Sequence, residues 1–195
     1  MNDLSMNNQE GYLELILGPM FSGKTSRIVN LYKQYTYCNI PVIVINHADD
    51  KRYDEQLLTT HDNIKINCVQ SNSISDVITK YQTDLEKFHV ILINEGQFFE
   101  DLFESTIQLV NNMKMSVYIC GLDGDYKANK FGRLLDLIPH CDKVTKLQSI
   151  CAGCRNGNKA IFSHRKTNDD QQKFIGTDDV YEPLCRKCYL HNNSL

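Results

Sequence analysis

The sequence predicts an α/β protein: a mostly parallel sheet flanked by helices, followed by a small C-terminal lobe stapled by a metal. Three observations predict it. Short uninterrupted apolar runs alternate with segments of helical period as far as about residue 149. A glycine-bounded turn joins the first run to the first helical segment. Four of the eight cysteines form two Cys-x-x-Cys pairs near the C-terminus. A chain of 195 residues has room for one full domain and a small appendage at roughly 150 residues per domain.

Composition narrows the class before any motif is read. Hydrophobic residues make up 42% and charged residues 23%, an ordinary balance for a globular protein with a proper core, which excludes disorder as the main description. With 21 Lys and Arg against 24 Asp and Glu, the net charge of −3 leaves no electrostatic footprint for wrapping a nucleic-acid backbone. No apolar run approaches the ~20 residues of a membrane-spanning helix. The polar, Asn-rich opening from Met1 to Glu10 has neither the basic start nor the apolar stretch of a secretory signal. The expectation is a cytoplasmic, reduced protein with no membrane or nucleic-acid partner.

The first strand is read over residues 12–17, rich in strand formers and stopped by Gly18-Pro19. Runs at 41–45 (PVIVI), 88–93 (FHVILI) and 117–120 (VYIC) are short and continuous, as suits strands buried on both faces of a parallel sheet. Between them Ile28, Leu31, Tyr32 and Tyr35 recur at helical spacing, as do Ile78, Tyr81, Leu85 and Phe88, and Phe103, Ile107, Val110 and Met113. Strands alternating with helices imply right-handed βαβ units. After Ser149 the apolar runs become brief, and 45 residues with so little to bury need a staple. The organisation read from this is a polar tail over 1–11, an α/β domain over 12–150 and a metal-binding lobe over 151–195.

Gly18-Pro-Met-Phe-Ser-Gly-Lys24-Thr25 fits the phosphate-binding loop G-x-x-x-x-G-K-[ST] at every fixed position, directly after a predicted strand and before a helical segment. The glycines let successive backbone N–H groups curl into one concavity for phosphate oxygens, and the following helix adds its positive end. The loop Gly18, Pro19, Met20, Phe21, Ser22, Gly23, Lys24 and Thr25 is therefore the candidate nucleotide phosphate site. Lys24 would neutralise the β and γ phosphates and Thr25 would ligate Mg²⁺. The fold is accordingly of the P-loop NTPase type.

A phosphate loop alone leaves ATPase, GTPase and kinase open. Residues 17–25 also resemble the loop of the cellular and poxvirus-type (type II) thymidine kinases, and four further stretches match that family in order. They are Asp50-Lys-Arg52-Tyr53, Asn94-Glu95-Gly96-Gln97-Phe98-Phe99, Gly121-Leu-Asp-Gly-Asp-Tyr126 with Phe131-Gly132, and the cysteine pairs around Ile175-Gly176 and Tyr181. The resemblance spans roughly residues 12–190. It implies phosphoryl transfer from ATP to the 5′-hydroxyl of thymidine, with Asp50, Lys51, Arg52, Asn94 and Gln97 joining the phosphate loop at ATP. Glu95 would be the general base, held by a strand end at the carboxyl edge where open α/β sheets bind ligands. On its own it also reads as an exposed loop-start glutamate. Arg52 would steady the phosphoryl group in flight; on its own it also reads as a surface arginine.

Asn94 departs from the family, which has Asp at this strand end as an Mg²⁺-holding carboxylate. Asparagine keeps an oxygen for a metal-bound water, so it is carried as a weak Mg²⁺ contact. One reading is tolerance, because Mg²⁺ in such sites is bound largely through phosphates and water; the other is an impaired enzyme. The resemblance also assigns the thymidine pocket. Phe98, Tyr126 and Phe131 would frame the base, with Met20, Leu122, Ser163 and Tyr181 around its methyl. Gln172, Lys173, Phe174, Ile175 and Gly176 would form a lid loop over its polar edge. Deoxyuridine is a candidate second substrate, since one methyl discriminates by only ~1–3 kcal/mol. Feedback inhibition by thymidine triphosphate and a homotetramer are implied by the family.

Cys151-x-x-Cys154 and Cys185-x-x-Cys188 read as a closed four-thiolate Zn²⁺ site with a structural role; disulfides are the alternative reading. Three rival functions remain beside the kinase. A regulatory GTPase or motor ATPase would be one, although no N-K-x-D base-reading motif is present. A nucleic-acid-binding zinc module is another, although residues 151–195 carry seven Lys and Arg against five Asp and Glu, too small a surplus to favour a phosphate backbone. The third is a homologue that binds nucleotide with little transfer.

Overall fold

The structure is a computed structural model, and it describes residues 10–49, 57–60, 62–82, 87–167, 170–173 and 179–192. Its centre is a six-stranded sheet of β1 (Tyr12–Leu17), β2 (Val42–His47), β5 (Val69–Ser71), β6 (Val90–Asn94), β7 (Ser116–Gly121) and β8 (Lys143–Lys146). The strand order is β5-β2-β6-β7-β1-β8, and every pairing is parallel. The chain therefore leaves β1, β2, β6 and β7 at one common edge, which fixes where a site can be built.

Alternation along the strands sends side chains to two cores. Leu13, Leu15, Ile43, Ile45, Ile91, Ile93, Val117 and Ile119 meet α2 (Ile74–Lys80) and α3 (Leu102–Ile107) on one face. Ile16, Val44, Val90, Leu92 and Tyr118 meet Ile28, Leu31 and Tyr35 of α1 (Lys24–Tyr37) on the other. Both faces are covered, which is why these strands read as uninterrupted apolar runs. Of the period through Ile78, Tyr81, Leu85 and Phe88, Ile78 lies in α2 (Ile74–Lys80), Tyr81 caps it and Phe88 belongs to the approach to β6, while Leu85 lies outside the described residues. The period through Met113 survives because α3 continues as a π-helical turn over Gln108–Asn112.

The edge strands were not legible as apolar runs. β8 reads Lys-Val-Thr-Lys and docks through polar chemistry instead. Glu14 on β1 is fully buried, and β8 supplies its partners, the Thr145 hydroxyl at 2.7 Å and the Lys143 ammonium at 3.1 Å. A short hairpin of β3 (Leu57–Thr59) and β4 (Lys65–Asn67) lies outside the main sheet. Among the described residues no helix is long and apolar enough to cross a membrane.

The C-terminal lobe carries β9 (Ser149–Ile150) paired with β10 (Lys159–Ala160), and β11 (Phe162–Arg165) paired antiparallel with β12 (Tyr181–Leu184). It ends in α4 (Arg186–Asn192). Its own core is small: Ala160, Leu184 and Tyr189 around Cys151 and Cys185.

Candidate active site

The four strand exits and the β11–β12 hairpin line an open cleft. At the β1 exit Gly18 has φ 152°, and a Cβ there would lie 2.7 Å from the Leu147 carbonyl oxygen and 2.8 Å from Ser22 Oγ, so only glycine closes the loop. Gly23, at φ 83°, turns the chain into α1. Lys24 opens that helix and folds back, its Nζ donating to the Pro19 carbonyl at 2.7 Å. Met20, Phe21, Ser22, Gly23, Lys24 and Thr25 all line the cleft. Ser22 Oγ is buried with no hydrogen-bond partner among the described residues. A buried hydroxyl left unpaired beside a lysine and a helix N-terminus fits an anionic oxygen.

At the β6 exit Glu95 adopts a left-handed conformation, φ 54° and ψ 44°, and it lines the cleft together with the loop. Such a conformation in a non-glycine residue is sparsely populated and is held by its surroundings. Gln97 supplies part of that hold. It is buried, donates to Glu95 Oε2 at 2.7 Å and accepts the Leu122 N–H at 3.0 Å, tying the β6 exit to the β7 exit. Expected at the phosphates, Gln97 does not line the cleft; it steadies Glu95 from behind.

Asn94 is likewise turned along the sheet. Its amide NH₂ donates to Asn46 Oδ1 at 2.7 Å and its carbonyl accepts the Cys120 thiol at 2.9 Å. The side chain is 1% exposed and stands below the cleft wall rather than in it. Thr25, Glu95 and Asp49 all line the cleft, and hard oxygen donors of this kind suit Mg²⁺. Asp50, Lys51 and Arg52 lie outside the described residues, as do Phe174, Ile175 and Gly176.

The far end of the cleft is aromatic. Phe98, Leu122, Tyr126, Phe131, Ser163, Gln172 and Tyr181 line it together, and Phe98 packs edge-on against Phe131 at 5.5 Å between ring centroids. The β11–β12 hairpin is tied to the glycine loop, because Ser163 Oγ accepts the Met20 N–H at 2.9 Å. Lys173 does not enter the wall; its ammonium pairs with Asp49 and sits 5.0 Å over the Phe98 ring. Five wall residues were not assigned from the sequence: Ser26, Asp49, Gly124, Asp125 and Arg165. Asp125 could have been found from its Asx-type turn, since its carboxylate accepts the Lys127 and Asn129 N–H groups, both at 2.9 Å.

Behind the hairpin, the sulfurs of Cys151, Cys154, Cys185 and Cys188 all lie within 4.8 Å of one another. Tetrahedral Zn²⁺ with bonds of about 2.3 Å needs sulfurs ~4 Å apart, so this donor set fits zinc. Burial pushes the Cys151 thiol up, but backbone and thiol hydrogen bonds from Cys154 and Cys185 outweigh it and bring it down to about 6. Cys188 moves the other way, pushed up to about 12 chiefly by its hydrogen bond with Cys185.

A glycine loop, a carboxylate and several aromatic rings line one cleft, and comparison with known proteins gives the family. The protein-family model described as Thymidine kinase matches residues 11–189. The chain belongs to the thymidine kinase family. It is 38% identical to thymidine kinase a of Arabidopsis thaliana over 94% of this chain and 76% of that protein. It is 36% identical to the thymidine kinase of Yaba monkey tumor virus over 97% of this chain and all of the relative. The vaccinia virus (strain Western Reserve) thymidine kinase is 34% identical over 92% and 97% of the two chains. The chain is thus a kinase, and phosphorylation of thymidine is the family's reaction.

Proposed function

We propose that the chain transfers the γ-phosphoryl group of ATP to the 5′-hydroxyl of thymidine, giving thymidine monophosphate and ADP. The observation that supports this reading is that Glu95 lines one cleft together with the glycine loop and the aromatic rings of Phe98, Tyr126 and Tyr181. The loop amides, Lys24 and Ser22 bind the phosphates, while Phe98, Tyr126 and Tyr181 receive the base. A 5′-hydroxyl then falls between Glu95 and the γ-phosphorus. Glu95 accepts the hydroxyl proton as the new O–P bond forms and the bond to the β-phosphate oxygen breaks, and ADP carries away that electron pair.

Thr25 is the residue that would hold Mg²⁺, with Asp49 on the same wall; bound there, the ion offsets charge on the β and γ phosphates. The four cysteines would hold Zn²⁺ as a closed structural site. Arg52, Asp50 and Lys51 remain assigned to the transferring phosphates, and Phe174, Ile175 and Gly176 to the lid loop, through the family resemblance alone. The same support carries deoxyuridine as a second substrate, thymidine triphosphate as feedback inhibitor, a homotetramer and a cytoplasmic location. The division near residue 150 is supported by the separate small core of the C-terminal lobe.

The test is steady-state ADP release with ATP and Mg²⁺, with and without thymidine, beside mass detection of thymidine monophosphate. Thymidine-dependent turnover is expected. Glu95→Gln should lower kcat by about a thousandfold while ATP still binds, as loss of a general base does. Nucleotide hydrolysis indifferent to thymidine would overturn the reading.

A further inference from the structure

Arg165 is the buried cation of the nucleoside side of the cleft. It lies on β11 two residues from Ser163, so both side chains leave the same face of the strand, and the burial pattern of β11 agrees. Ser163 reaches the phosphate loop. Arg165, 4% exposed, reaches the aromatic end. Its Nε and Nη2 donate to the Tyr181 hydroxyl at 3.1 and 2.7 Å. Its Nη1 donates to the Gln171 carbonyl at 2.5 Å and Nη2 to the Gln172 carbonyl at 3.2 Å. The guanidinium carbon sits 3.8 Å from the centroid of the Tyr126 ring.

One planar group thus touches three separate parts of the wall: the Tyr126 ring, the Tyr181 hydroxyl and the backbone at 171–172. A guanidinium is suited to this, because a rigid fork can stack on an aromatic face while its edge N–H groups bond in plane. Removing such a group from water is tolerated only when its donors are satisfied, which makes the arrangement costly to disturb. The neighbouring contacts fix the same parts from outside. The Tyr189 hydroxyl donates to the Tyr126 carbonyl at 2.8 Å, and the Gln172 amide donates to Asp125 Oδ2 at 2.7 Å.

We propose that Arg165 is a positioning residue for nucleoside binding: its guanidinium sets the plane of Tyr126, the hydroxyl of Tyr181 and the backbone at 171–172 as one preformed wall for a planar base. The proposal rests on the thymidine kinase reading of this cleft. Preorganisation of this kind acts on binding of the nucleoside and leaves the phosphate loop untouched.

The test compares the zinc-loaded full chain with Arg165→Met and Arg165→Lys. It measures KM for thymidine and for ATP separately, zinc content, and hydrogen exchange of the backbone over 170–173 without nucleoside. The expected result is a rise in thymidine KM of about tenfold or more in both variants, with ATP KM and zinc content unchanged and faster exchange over 170–173. Lysine is expected to fail because it keeps the charge and loses the fork. Thymidine KM within about twofold of the parent overturns the proposal, as does rescue by lysine. A parallel loss of zinc, ATP affinity and thymidine affinity in both variants overturns it too, by showing a merely structural role. If the parent chain turns over no thymidine, the kinase reading fails instead. The exchange measurement then decides alone whether Arg165 holds the wall, unchanged exchange counting against it.

Discussion

The two parts of the cleft proposed for phosphate and for nucleoside are built from opposite materials. On the phosphate side, the loop and Glu95 hang from parallel strands whose flanks are packed on both faces by the two main cores. On the nucleoside side, Ser163, Arg165 and Tyr181 sit on a pair of four-residue strands backed by a handful of buried side chains and four cysteines. The first is stiff because a large apolar area holds it; the second because polar ties and a sulfur cluster do. Binding of the two substrates should therefore respond separately to damage, and that separation can be attacked directly.

The largest effect is expected from the metal. Stripping zinc with a chelator, or Cys151→Ser, removes the main support of a lobe that buries little of its own. Thymidine-dependent turnover should fall by about a hundredfold or more, while the affinity for a fluorescent ATP analogue changes by less than about tenfold. Equal loss of both affinities would show that the two sides are one unit and break the comparison.

A smaller effect sharpens it from the sheet side. Asn94→Asp would put a carboxylate where the NH₂ now donates to Asn46 and where 1% of the side chain is exposed. Two acceptors then face each other in the interior unless Asn46 turns over, at a cost of about 2 kcal/mol. The thermal midpoint should drop, and the Mg²⁺ concentration for half-maximal rate should stay where it is, because the side chain does not line the cleft. A lower Mg²⁺ requirement at unchanged stability would place position 94 back among the metal's neighbours.

The smallest effect lies far from the hairpin. Asp101 joins α2 to α3, its carboxylate accepting the Ile74 and Ser75 N–H groups at 3.2 and 2.7 Å and the Ser73 and Ser105 hydroxyls at 3.0 and 3.1 Å. Burial alone would raise this carboxyl, but the N–H groups and hydroxyls outweigh it and hold it below the usual range. A depressed folded-state value means the stabilisation is present above the unfolded value of about 3.9 and is lost as pH falls through the folded one. Asp101→Asn should cost about 1 kcal/mol at neutral pH, a difference that closes below pH ~4 in denaturant titrations. Both substrate KM values should be unchanged.

The same division governs what could be read in advance. The phosphate loop is legible because each of its residues is forced by backbone geometry or charge at a fixed spacing. The central strands are legible because burial on both faces leaves continuous apolar runs. Cys151, Cys154, Cys185 and Cys188 are legible by spacing alone. Arg165 is not, because its work depends on three chain segments brought together by the hairpin register. Asn94 was identified at the right strand end, but the direction of its amide is set by Asn46 and Cys120 on neighbouring strands. The polar strand β8 was hidden because its partner, Glu14, is a buried carboxylate rather than an apolar side chain.

The contact from Met20 N–H to Ser163 joins residues 143 positions apart, and Thr145 reaches Glu14 across 131. During synthesis at roughly 5–20 residues per second, the glycine turn emerges first and then waits about 7–30 s for the chain that completes it. The loop over 18–25 therefore gains its hairpin contact only once β11 has been made. A ribosome stalled before the β11 hairpin would present the phosphate motif without the hairpin contact that holds its loop.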